Sequence, residues 1–220
     1  MRVDLRLYAL VDPEHAAGRA LPDLARAVAE GGATLIQLRA KQADTRAMIE
    51  SARAIKAALA ALHVPLIIND RVDVALAAGA DGVHVGQDDM DPRDARRLLG
   101  PGAIIGLSVK TPAQAREAPV EHLSYIAAGG VFATTSKDNP DAPIGLDGLK
   151  SIVKIIHARA PGFPVVAIAG IDESNAADVV AAGADGIAVI SALSLAPDPA
   201  QAARKLRGIV DTALKKRDAA

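Results

Sequence analysis

The sequence contains no cysteine, so disulfides, thiolate metal sites and cysteine nucleophiles are all excluded. Tryptophan is also missing, and only two Phe and two Tyr are present, which leaves few platforms on which nucleobases could stack. Neither sign of charge dominates: 25 Lys and Arg stand against 26 Asp and Glu, a formal charge of -1. That balance removes the electrostatic case for a general nucleic-acid or membrane-surface binder. No apolar run reaches the roughly 18 residues needed to span a bilayer. The opening Met1-Arg2-Val3-Asp4-Leu5-Arg6 leads into a short apolar stretch that ends at Asp12-Pro13. It lacks the longer apolar region and small-residue cleavage site of a secretory signal, so a cytoplasmic protein is expected. There is no nucleophile elbow, Walker loop or dinucleotide fingerprint. His15, His63, His84, His122 and His157 include no pair at metal-ligand spacing, and mid-strand His84 is read as packing rather than ligating.

What is present is a 220-residue chain, 50% apolar, with ample material for a core. Short apolar runs alternate with Ala-rich helical stretches. Strands are expected at 7–11, 35–38, 65–69, 82–85, 104–107, 125–128, 164–168 and 186–190. These are mostly continuous apolar runs with little alternation, as parallel strands covered on both faces are. Helices are expected near 20–30, 44–62, 71–78, 91–99, 111–117, 146–160, 174–182 and 198–215. Asp44 and Ser174 are candidate N-caps, and Pro92 is placed to open a helix. Eight β/α pairs at about 27 residues each match the small end of the (β/α)8 barrels, although a doubly wound sheet also alternates. A repeat favours the barrel. The stretch Ala77 to Val85 (AAGADGVHV) returns at Ala181 to Val189 (AAGADGIAV), 104 residues or four units of 26 later, and Gly31-Gly32-Ala33 is a weaker echo. In each copy a glycine stands where a helix must end in a left-handed residue. One α/β TIM-barrel domain over residues 1–220 is the expectation.

In such a barrel the reactive groups sit just past the C-terminal ends of the strands. After the second strand, Gln37, Arg39 and Lys41 alternate and point to one side. An amide with two cations matches a diphosphate, as it also matches a solvated strand end. The third strand ends in Asn69-Asp70 and the fourth leads to Asp88-Asp89. Asp70 and Asp89, on neighbouring strands, fit a Mg²⁺ site between a phosphate ligand and the protein, while Asp70 also reads as a helix cap and Asp88 and Asp91 as helix-start acids. Ser108 ends the fifth strand as an oxyanion donor or a turn residue. The sixth leads into Val131-Phe132-Ala133-Thr134-Thr135-Ser136-Lys137 and a long hydroxyl-rich connection, read as a substrate-covering loop. Gly170 after the seventh strand and Ile190-Ser191 after the eighth occupy the place where many barrels hold a phosphate.

Taken in order from about Tyr8 to Leu206, these motifs resemble thiamine phosphate synthase. The resemblance implies a transferase that joins a hydroxymethylpyrimidine diphosphate to a thiazole phosphate, or its 2-carboxy form, releasing pyrophosphate. By motif match Gln37, Arg39, Lys41, Asn69, Ser108 and Lys137 hold the pyrimidine diphosphate, with Arg39, Lys41, Ser108 and Lys137 assisting catalysis. Asp70 and Asp89 hold Mg²⁺, and Thr134, Thr135, Ser136, Gly170, Ile190 and Ser191 hold the thiazole phosphate. The expected reaction is a dissociative substitution in which cationic groups stabilise the leaving diphosphate. Partners are expected to be these small molecules, with no nucleic acid or membrane and a homo-oligomer left open. The sequence departs from the family's habit at Gly130 and Ala133, where it commonly has proline, and at Ala169, where it favours a second glycine. A less rigid loop is expected there. A related thiazole tautomerase and a non-catalytic phosphate binder are the competing readings; neither needs both the Gln37/Arg39/Lys41 set and the Asp70/Asp89 pair.

Overall fold

The structure is a computed structural model that describes residues 3–136 and 142–219. Eight parallel strands close into a barrel in sequence order: β1 (Leu7–Val11), β2 (Leu35–Leu38), β3 (Leu66–Asn69), β4 (Gly82–Val85), β5 (Ile104–Val109), β6 (Tyr125–Ala128), β7 (Val165–Ile168) and β8 (Gly186–Val189). Closure is made by β8 on β1, with Tyr8 opposite Ala188, and a doubly wound sheet is thereby excluded. Helices α1 (Leu21–Glu30), α2 (Thr45–Leu59), α3 (Val72–Ala78), α4 (Pro92–Leu99), α5 (Pro112–Glu117), α6 (Gly145–Arg159), α7 (Ala176–Ala181), the short α8 (Ser191–Ser194) and α9 (Pro199–Asp218) follow the strands. Among the described residues no helix is long and apolar enough to cross a membrane.

Two expectations at element ends are corrected. The fifth strand runs on to Val109, so Ser108 is a strand residue paired with Ala127 and not the start of a turn. Ser174 does not cap its helix. Asp172 accepts from the Ser174 N–H and hydroxyl, which leaves Asn175 as the N-cap. Asp44 does cap α2 by accepting from Ala47 N–H, and Asp91 caps α4 with Pro92 in its first turn.

The repeat has a physical cause. Asp81 and Asp185 stand just before β4 and β8, and each clamps the start of the preceding strand. Asp81 accepts from Leu66 N–H at 2.8 Å and Asp185 from Val165 N–H at 2.9 Å. Thr34 and Ser124 do the same before β2 and β6, accepting from Leu7 and Ile105 N–H. A polar side chain therefore fixes the corner ahead of every second strand, satisfying a backbone donor that the ladder leaves open. The glycines after the two aspartates, Gly82 and Gly186, leave room for the backbone of Ile104 and Leu5, which a Cβ would overlap.

The core has two layers. Between barrel and helices lie residues such as Val28, Ile36, Ile55, Ile68, Ile105, Ile152, Val179 and Leu206, all at most 1% exposed. The barrel interior is filled by Leu5, Leu35, Ile67, Val166 and Ala188, with Tyr8, Leu10, Tyr125 and Ala127 nearer the mouth. The interior is packed rather than open, so the side chains at its C-terminal end form the floor of the site.

Candidate active site

Arg39 follows β2 and its Nη1 forms a close ion pair with Asp12, just past β1. Asp12 is completely buried, and its other oxygen accepts from Glu14 N–H at 2.9 Å. A buried carboxylate needs such partners, so Asp12 anchors the guanidinium at the mouth. Asp12, Glu14 and His15 are also close enough to suit a metal ion, but Asp12 is already committed to a cation. Sequence reading missed Asp12, whose one signal was an acidic residue immediately beyond a strand.

Lys41, Asp70 and Asp89 come together as expected. Lys41 Nζ lies 3.3 Å from Asp70, whose carboxyl meets that of Asp89. Burial, followed by the adjacent Asp89, pushes the Asp70 carboxyl above its ordinary range, while Lys41 pulls in the opposite direction. Asp89 accepts from Gly86 N–H at 2.7 Å. The helix-cap reading of Asp70 fails: Arg71 is the N-cap of α3, and no side chain caps it. Asp70 has φ +62° and its N–H donates to the His84 carbonyl, a left-handed conformation that Asp and Asn tolerate better than most residues. Two facing carboxylates are hard oxygen donors, and one of them is held uncomfortably; this donor set fits Mg²⁺. Asp88 is exposed and Asp91 acts as the α4 cap.

Below them is a polar floor inside the barrel. Gln37, Arg39, Asn69 and Ser108 line a small cavity with Tyr8, His84, Ile168 and Ile190. The Gln37 amide contacts the Tyr8 hydroxyl, and the Tyr8 and Tyr125 hydroxyls are 3.0 Å apart. His84 lies 2.8 Å from Tyr125 Oη through Nδ1 and 2.8 Å from Ser108 Oγ through Nε2. Its ring also stacks on Tyr125 with centroids 5.6 Å apart, and Tyr8 meets Tyr125 edge-on at 5.9 Å. The packing role expected for His84 is therefore present, together with hydrogen bonds that the sequence did not announce. Burial pushes both phenols well up, so they stay neutral at ordinary pH. Gly106 makes the stack possible, because a Cβ there would overlap the Tyr125 ring and lie 2.5 Å from His84 Nδ1.

Beside this floor is a cleft of about 500 Å³, lined by Thr134, Thr135, Ser136, Gly170, Ile190 and Ser191 among others. Ser136 donates to Ser191 Oγ at 3.1 Å, bridging the β6 and β8 ends. Gly170 has φ +64° and sits so close to Phe132 and the Ala133 carbonyl that no side chain fits. Ala169, at the departure noted in the sequence, takes φ +90°, and Gly130 takes φ +72°, which proline cannot adopt. The chain after the loop returns onto the segment just past β6, with Ile144 N–H donating to the Gly130 carbonyl and Gly145 N–H to that of Val131. Lys137 and residues 138–141 lie outside the described residues. The cavity and cleft share Ile168 and Ile190 as a common wall.

The arrangement thus offers two adjoining compartments. One is flanked by cations and a carboxylate pair; the other is lined by hydroxyls and small residues suited to phosphate. Comparison with known proteins gives this geometry a family. A family model described as thiamine monophosphate synthase matches residues 7–193. A thiamine-phosphate synthase of Agrobacterium fabrum is 53% identical over 98% of both chains, and one of Chloroflexus aurantiacus is 48% identical over 97% of this chain and 96% of that one. Among solved structures, a thiamine phosphate pyrophosphorylase from Pyrococcus furiosus superposes with a TM-score of 0.83 at 39% identity, covering 97% of this chain and 98% of that one. A tryptophan synthase from Mycobacterium tuberculosis, with a TM-score of 0.69 at 16% identity over 95% of this chain and 93% of that one, shares the fold alone. On full-length similarity and a family-model match over most of its residues, this chain belongs to the thiamine monophosphate synthase family.

Proposed function

We propose that the protein joins 4-amino-2-methyl-5-(diphosphooxymethyl)pyrimidine to 4-methyl-5-(2-phosphoethyl)thiazole, giving thiamine phosphate and pyrophosphate; from the 2-carboxy form the same joining also releases CO2, with a proton taking its place at C2. The observation that carries this reading is the pair of adjoining compartments across Ile168 and Ile190. A reaction that joins two phosphorylated heterocycles needs two anion subsites side by side, with the reacting atoms meeting between them.

Gln37, Arg39, Lys41, Asn69 and Ser108 hold the pyrimidine diphosphate, and Lys137, outside the described residues, joins them by motif position alone. Thr134, Thr135, Ser136, Gly170, Ile190 and Ser191 hold the thiazole phosphate. Asp70 and Asp89 would hold Mg²⁺, which when bound supplies neutralising charge for the departing diphosphate. The methylene–oxygen bond breaks, and its electron pair leaves with the diphosphate. The electron-rich ring supports the positive carbon, and the thiazole nitrogen then supplies the pair that forms the new C–N bond. Arg39, held by Asp12, and Lys41 stabilise negative charge that grows in this step, the kind of fixed electrostatics that usually contributes most. The hydroxyl-lined cleft contributes by holding the thiazole in place.

The test is pyrophosphate release with each substrate alone and with both plus Mg²⁺. Release only with both supports the reading. A tautomerase or a passive phosphate binder releases none. Asp89→Asn is expected to lower turnover at saturating substrate by about 10²–10³; near-normal turnover would remove Asp89 from the assigned site.

A further inference from the structure

One side chain grips the turn at the edge of the hydroxyl-lined cleft from outside it. Asn175 stands directly ahead of α7, where an asparagine ordinarily caps its helix, yet its side chain makes no cap bond. It reaches back instead. Its Nδ2 donates to the Gly170 carbonyl at 2.9 Å, and its Oδ1 accepts from Asp172 N–H at 3.0 Å. A carbonyl can only accept and a backbone N–H can only donate, so these two partners fix which end of the amide is oxygen.

That grip decides where a backbone donor points. In a trans peptide the C=O and the N–H of the next residue face opposite ways. With the Gly170 carbonyl turned to Asn175, the Ile171 N–H is turned away from it, on the side of the cleft that Gly170 and Ile171 line. Ile171 is buried, and among the described residues its N–H has no hydrogen-bond partner. A donor left open at a buried residue calls for a ligand or water. Glycine is the weak point of this turn: Gly170, at φ +64°, lets the peptide plane beyond it rotate. A flipped plane would turn a carbonyl oxygen toward the cleft, against any anion held there. Val131 and Phe132 N–H pin the other flank by donating to the Ile168 and Ala169 carbonyls, each at 3.1 Å. Those bonds stop short of the Gly170–Ile171 peptide, whose one hydrogen-bond partner among the described residues is Asn175.

We propose that Asn175 is a positioning residue for the phosphate subsite: it locks the Gly170–Ile171 peptide so that the Ile171 N–H serves as a donor to a bound phosphate monoester. Asn175 itself stays outside the cleft lining and acts only through the peptide it holds. That the phosphate belongs to the thiazole rests on the synthase reading above; the direction of the Ile171 N–H does not.

The direction is tested by NMR on protein labelled with ¹⁵N-isoleucine, the Ile171 amide being identified by its loss in Ile171→Val. As the ligand-free wild type is titrated with inorganic phosphate, the Ile171 amide proton is expected to move downfield and saturate. An Ile171 amide that does not respond would overturn the proposal, and this arm needs no variant at position 175. In Asn175→Ala the same titration should require about tenfold more phosphate, near the worth of one hydrogen bond to a charged group; an unchanged response would remove Asn175 from the role. Kinetics supply the second arm. Asn175→Ala is expected to raise KM for the thiazole phosphate about tenfold and to leave KM for the pyrimidine diphosphate unchanged. A general loosening of the barrel would raise both KM values or lower kcat alone, and either pattern would refute the assignment. If the wild type joins no substrates, the synthase reading fails, while the phosphate titration still decides where the Ile171 N–H points.

Discussion

Asp70→Asn should make the metal-free protein more stable while disabling it. Asp70 sits against Asp89 with Lys41 opposing, and burial first and Asp89 second raise its pKa in the folded chain. The native state therefore holds the Asp70 proton more tightly than the unfolded chain, where an aspartate titrates near about 3.9. Between that value and the raised native one, stability falls as pH rises, and above both the full cost is present. Asparagine removes the charge, keeps a similar shape and tolerates φ +62°. The gain at neutral pH is about 1 kcal/mol, typical of relieving a strained functional position, less a few tenths for the half-exposed Lys41 pair. For a chain of this size that corresponds to a rise in Tm of about 2–4 °C at most. The assay is a series of thermal melts from pH 4 to pH 8 in chelator, then with Mg²⁺. The variant's advantage should shrink toward acid pH, where the wild-type carboxyl is also neutral. Mg²⁺ should raise the wild-type Tm by binding only the native state, with a much smaller effect on the variant. A variant less stable than wild type at pH 7 in chelator, or one responding equally to Mg²⁺, would refute the reasoning.

The barrel was legible because the strands are covered on both faces and read mostly as continuous apolar runs, and because Asp81-Gly82 and Asp185-Gly186 repeat the same corner in the same residue types. Thr34 and Ser124 perform that corner task with different chemistry, so the fourfold character of the clamp was invisible as a repeat. Strand and helix ends were less readable because pairing and competition set them. Ladder pairing with β6 carries β5 through Ser108 to Val109, and Asp172 takes the backbone and hydroxyl donors of Ser174. In the candidate site, Gln37 and Arg39 follow from strand alternation, and the Asp70–Asp89 encounter follows from β3 and β4 being neighbours. Tyr8, His84 and Tyr125 were hidden because an aromatic or a histidine within an apolar strand looks like ordinary core. Their partnership depends on barrel closure and joins residues as far as 117 apart in sequence. Asp12 was hidden for a similar reason: its importance comes from Arg39, which approaches from the next strand.

Three further substitutions, with a fourth on α9 for contrast, probe the packing behind the site. Asp12→Asn removes the buried countercharge of Arg39 while retaining an acceptor for Glu14 N–H; urea unfolding should show a loss of about 3 kcal/mol, and KM for the pyrimidine diphosphate should rise. Gly170→Ala forces an L side chain into φ +64° and into the Ala133 carbonyl. The strain costs about 1–2 kcal/mol before any clash, so a lower Tm and a selective rise in KM for the thiazole phosphate are expected. Gly106→Ala addresses the floor itself. Gly106 carries no positive φ, so any penalty comes from space alone: the new methyl would overlap the Tyr125 ring and crowd His84 Nδ1. Tyr125 is fully buried, stacked on His84 and met edge-on by Tyr8, leaving it no direction in which to yield. Overpacking in such a setting costs about 1–3 kcal/mol, with the rigid ring placing this site at the upper end. Gly208→Ala on α9 supplies the contrast, because nothing lies within 4 Å of its new Cβ and alanine in a helix interior gains about 0.5–1 kcal/mol over glycine. Urea unfolding should therefore move in opposite directions for the two glycines; if Gly106→Ala unfolds like wild type, the Tyr125–His84 stack does not occupy the space beside β5.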